Sequence, residues 1–63
     1  MDLLWFLHKN GEKMTKIECR KLLCMGKIYL NATPITLKQG MDYKLKENDI
    51  ISIGEYQGKV WIV

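Results

Sequence analysis

The segment Thr15-Lys16-Ile17-Glu18 constrains this chain more than any other stretch. A Thr hydroxyl that accepts from the amide three residues on, with a Glu carboxylate reaching back to the Thr amide, specifies the start of a helix. Met14 and Cys19 stand at the staple positions around that cap, and Gly26 supplies the left-handed residue that closes a helix after Met25. On this helix Cys19, Leu22 and Leu23 form a narrow apolar stripe. Lys16 and Arg20 lie one turn apart beside the stripe, with Lys21 further round. The helix is therefore expected to be apolar inward and basic outward.

The rest of the chain supplies what that apolar stripe packs against. Leu3, Leu4, Phe6 and Leu7 have the three-and-four spacing of a short helix over about residues 2–9, ended by Asn10-Gly11. Lys27-Ile28-Tyr29-Leu30 alternates as a strand, with Ile28 and Leu30 on the core face and Tyr29 on the other. Asn31 to Pro34 is turn chemistry, Ile35 to Leu37 is a candidate second strand, and Lys38 to Asn48 reads as a polar connection anchored by Met41, Tyr43 and Leu45. Asp49 leads into the strand Ile50-Ile51-Ser52-Ile53. A glycine-bounded hairpin loop, Gly54 to Gly58, hands the chain to Lys59-Val60-Trp61-Ile62-Val63. The expected fold class is α+β: two short N-terminal helices packed on a small, mostly antiparallel sheet of four to five strands. With 63 residues, 1–63 form one domain with one thin core.

Charge and composition narrow the function. Ten Lys/Arg against seven Asp/Glu leave a net charge of +3. The excess falls in the first 27 residues, where Lys9, Lys13, Lys16, Arg20, Lys21 and Lys27 face only Asp2, Glu12 and Glu18. Clustered cations of this kind are the footprint of a phosphate-binding surface, and also of an ordinary solvated face. The longest apolar run, Leu3 to Leu7, is far short of the roughly 20 residues that span a bilayer, and the Met1-Asp2-Leu3 start has no secretory pattern. A cytoplasmic protein without membrane contact is expected. Cys19 and Cys24 point about 140° apart on one helix, so they do not bridge, and with the single His8 they make no zinc set. Ser52 sits in mid-strand, no catalytic set can be assembled, and the five glycines are too scattered for a phosphate-cradling loop. Neither an enzyme, a cofactor, a metal nor a small-molecule substrate is expected.

The ordered pattern Thr15-Lys16-x-Glu18-Cys19-x-x-Leu22-Leu23-x-x-Gly26-Lys27-Ile28-x-Leu30-Asn31, followed by Asp49-Ile50-Ile51, resembles the alpha-L RNA-binding domain. This is the module of small-subunit ribosomal protein S-four, also found in pseudouridine synthases, some methyltransferases and bacterial-type tyrosyl-tRNA synthetases. Leu3-x-x-Phe6-Leu7 matches its first helix, so the likeness runs from residue 3 to about residue 53. The resemblance implies a non-enzymatic module whose two helices present a basic face to structured RNA, ribosomal or transfer. By position, Lys16 and Arg20 are the implied phosphate contacts, with Lys21 and Lys27 next. Lys13 and Lys9 complete the basic set, and Tyr29 is a candidate for stacking on an unpaired base. The helix amides after Thr15 would favour an anion at the same place. The chain departs from the family where Asn31 is followed by Ala32-Thr33-Pro34 instead of glycine, and where Asp2, Leu4 and Trp5 occupy polar or basic positions of the first helix.

Those departures carry the competing expectation, a protein-interaction module or inhibitor. Leu4 and Trp5 either fill the thin core or mark a contact surface. Ile17, on the solvent side of its helix, and Trp61 belong to the same alternative set. Pairing of the final strand, Lys59 to Val63, with another chain is a route to a homodimer.

Overall fold

The computed structural model describes residues 1–54 and 59–63. Among them are three helices and four strands: α1 (Leu3–Lys9), α2 (Lys16–Cys24), β1 (Ile28–Leu30), β2 (Thr33–Pro34), α3 (Leu37–Asp42), β3 (Ile50–Ile53) and β4 (Lys59–Ile62). All strand pairs are antiparallel, in the order β2-β1-β3-β4. The α+β layout holds, with a third helix in place of the expected polar connection. The loop expected from Gly54 to Gly58 lies, beyond Gly54, outside the described residues.

Each helix start is written locally. The Asp2 carboxylate accepts from the Trp5 amide at 2.8 Å to cap α1. At α2 the reciprocal box is complete: the Glu18 amide donates to Thr15 Oγ1 at 3.0 Å and the Thr15 amide to Glu18 Oε1 at 2.8 Å. Gly26 (φ +69°) follows the last turn. The same device, Thr36 with Gln39, opens α3. That helix corrects two expectations at once. Leu37 begins a helix instead of ending a strand, and the second strand is Thr33–Pro34.

The close approach of α3 to α2 is made at Gly40. A Cβ placed there would lie 2.5 Å from Leu23 Cδ2, so any larger residue would force the Leu23 side chain to move. The core lies beneath: Leu3, Phe6 and Leu7 from α1, Cys19 and Leu23 from α2, and Ile28, Ile51 and Ile53 from the sheet, closed by Ile35 and Leu45. Leu30, expected on the core face, sits half-buried at the margin of that cluster.

The turn between β1 and β2 is a two-residue loop in which Asn31 (φ +51°) and Ala32 (φ +69°) are both left-handed, as the twist of a tight hairpin requires. Asn31 tolerates this and uses its side chain: Oδ1 accepts from the Ile50 amide at 2.9 Å, and Nδ2 donates to Asp49 at 3.2 Å. Ala32 has no such compensation and carries the steric cost of its Cβ. Asp49 is the core's one buried charged residue among those described. Its carboxylate also accepts from the Lys46 amide (2.8 Å) and the Tyr43 hydroxyl (2.9 Å), so the β1–β2 turn, the segment after α3 and the start of β3 meet on one group.

Candidate nucleic-acid interface

The expected anion site at the first amides of α2 is changed by the box that starts the helix. The Glu18 amide is already bonded to Thr15, and the Glu18 carboxylate stands at the same end. Those bonds to Thr15 hold the Glu18 carboxyl below the usual carboxylate range, so it stays charged there. An incoming phosphate would meet a carboxylate at this end, which moves the candidate site from the helix end to its flank.

On that flank Lys16 and Arg20 line one hollow with Leu37, Lys38, Met41 and Asp42 of α3. A neighbouring hollow joins Lys16 to Lys44 and to Asp2, over the Gly40 contact. Four cations from two helices and the segment after α3 thus border adjoining depressions, against two carboxylates. Among the described residues no carboxylate lies within ion-pair distance of Lys16, Arg20, Lys38 or Lys44. Lys38 and Lys44 are residues that sequence reasoning missed, because their stretch was read as a connection without a face. The signal that would have found them is the Thr36-x-x-Gln39 box.

The remaining expected contacts are placed elsewhere. Lys21 and Lys13 line a hollow on the other flank of α2, together with Glu12 and Glu18. Glu12 is engaged from across the molecule by an ion pair with Lys59. Lys9 stands over the Trp5 ring, 5.4 Å from its centre, and Lys27 is half-buried at the entry to β1. Tyr29 pairs across from Ser52 on the face of the sheet away from the helices, and its ring lies against Gly54, where an added Cβ would come within 2.8 Å. The structure does not bring Tyr29 together with Lys16 and Arg20. Tyr43 is the aromatic residue near α3: it lines an apolar hollow with Leu30, Ile35 and Gln39 that shares Lys38 and Asp42 with the basic one.

The alternative set also divides. Leu4 and Trp61 pack against the core as half-buried residues, whereas Trp5 (55 % exposed) and Ile17 (78 %) project into solvent. Cys19 is buried, which raises its thiol pKa, with Asp2 adding to the effect, and Cys24 is exposed; both are free. His8 Nε2 lies 2.6 Å from the Met14 carbonyl, so this nitrogen carries the proton and donates. Among the described residues no group of His, Cys, Asp and Glu could hold a metal ion, and no helix is long and apolar enough to cross a membrane. No family model, curated protein or solved structure matches the chain.

Proposed function

We propose that this chain is a small, non-enzymatic cytoplasmic module of the alpha-L kind that binds the phosphate backbone of structured RNA, ribosomal or transfer. The observation that carries the reading is the placement of Lys16 and Arg20 on one hollow with Lys38, none of them paired with a carboxylate among the described residues. Cations in excess over carboxylates at a concave helix–helix junction suit a double-stranded RNA surface, which offers phosphates and hides its bases. An unpaired base beside such a duplex would find apolar wall at Leu30, Ile35 and Tyr43 across α3.

Titrating a structured RNA at increasing salt tests the reading. With Lys16, Arg20, Lys38 and Lys44 each neutralising a phosphate, log affinity falls against log salt with a slope of roughly −3 to −4. A slope near zero would instead favour the second reading, a protein partner docked on the exposed Trp5 and Ile17.

A further inference from the structure

The sheet has two edges, and they are treated differently. The β2 edge is two residues long and contains Pro34, a residue that blocks strand addition. The β4 edge is four residues long and holds no proline; the Asn10–Glu12 loop, with Glu12 ion-paired to Lys59, borders its start, and Ile62 lies beyond that hollow. Its hydrogen-bonding direction follows from the register. The Val63 amide donates to the Asp49 carbonyl at 2.9 Å, and Trp61 stands opposite Ile51, two residues back. Alternation therefore turns the backbone groups of Lys59, Trp61 and Val63 towards β3 and those of Val60 and Ile62 outward. The same two residues hold their side chains on the face away from the helices, 53 % and 68 % exposed, beside Ile50 at 41 %.

The geometry points to a second copy of this chain as the occupant of that edge, paired β4 to β4 in antiparallel fashion about a two-fold axis at Trp61. In this register Val60 of each copy faces Ile62 of the other, and both outward donor–acceptor pairs of each strand are satisfied. No other dyad satisfies both within the strand. The side chains agree with the backbone: apolar residues meet across the junction, and the two Lys59 residues fall at opposite ends of it, so no like charges face each other. The apolar strip of Ile50, Val60 and Ile62 then continues from one sheet into the next. The junction is small against a standard interface of roughly 800 Å² per partner, so the dimer is weak and reversible. It leaves the α2–α3 hollow uncovered and stands independently of the RNA reading.

Sedimentation equilibrium of the full chain over a range of concentrations, paired with amide hydrogen exchange, tests this. The apparent mass should rise from one protomer towards two, while the Val60 and Ile62 amides become protected as concentration rises. Val60→Pro removes an outward donor without touching a bond to β3, and should remain folded and monomeric throughout. Val60→Lys gives the same outcome should the proline disturb the strand. A mass fixed at one protomer, growth past the dimer, or association that persists in both folded variants would overturn the proposal.

Discussion

The two flanks of α2 carry similar residues and differ in what surrounds them. On one side Lys16 and Arg20 meet Lys38 and Lys44 against Asp42 and Asp2, which leaves net positive charge. On the other, Lys13 and Lys21 share their hollow with Glu12 and Glu18, and Glu12 is also ion-paired with Lys59, so the carboxylates offset only part of the positive charge there. A surplus counted along the chain is thus divided by the fold into a more positive flank and a more nearly compensated one. The first should attract a polyanion more strongly, since the field at a surface is set by all charges within about a Debye length, roughly 8–10 Å.

The largest expected effect separates these flanks. Lys16→Glu with Arg20→Glu should lower RNA affinity by on the order of 100-fold at physiological salt, while Lys13→Glu with Lys21→Glu should cost less than about 5-fold. Filter binding with both folded double variants checks this, and equal losses would erase the distinction between flanks. Next, Gly40→Ala drives a methyl into Leu23, a buried side chain (2 % exposed) that must shift within the core to admit it. We expect a destabilisation of about 1–3 kcal/mol in urea unfolding, with α3 displaced from the more positive flank. A neutral result would mean that the α2–α3 contact is not held by that glycine.

Acid should act through Asp49. Its carboxyl is held below the usual carboxylate range, first by the Lys46 amide and then by the Tyr43 hydroxyl and Asn31, against the opposing effect of desolvation. A group bound more weakly to its proton when folded stabilises above its unfolded pKa, and that contribution is lost as pH falls through the folded value. Stability should therefore drop below about pH 4, and Asp49→Asn should flatten that limb of the profile. Tyr43 is raised, chiefly by its bond to Asp49, so its contribution is lost at the alkaline end as pH rises through its folded value. The smallest change is Ala32→Gly. Relieving a left-handed alanine should stabilise by about 0.5–1 kcal/mol in thermal unfolding and leave RNA affinity unchanged, because Ala32 lines neither flank's hollow.

The parts legible in the sequence are those specified by neighbours in the chain. The α2 start at Thr15, its close at Gly26, the α1 stop at Asn10-Gly11 and the strand from Ile50 all rest on signals within a few residues, and all stand in the fold. The helix α3 has the same kind of start at Thr36, but Gly40 in its middle reads as a breaker until Leu23 is seen against it. That contact is tertiary, and with it went the knowledge that Lys38 and Lys44 border the basic hollow. Likewise Asn31, Tyr43 and Lys46 converge on Asp49 from separate segments, which no local spacing announces. Tyr29 shows the reverse limit: alternation placed it correctly on the outer face of the sheet, and that very face removes it from the cations it was expected to assist.

The most direct measurement is a residue-resolved titration, following backbone amide shifts of the labelled protein as a structured RNA hairpin is added. The largest changes should cluster at Lys16, Arg20, Lys38, Met41 and Lys44, with Lys13 and Lys21 little affected. Changes centred on Lys13 and Lys21, or on Trp5 and Ile17 with the α2–α3 hollow silent, would contradict this placement of the RNA site.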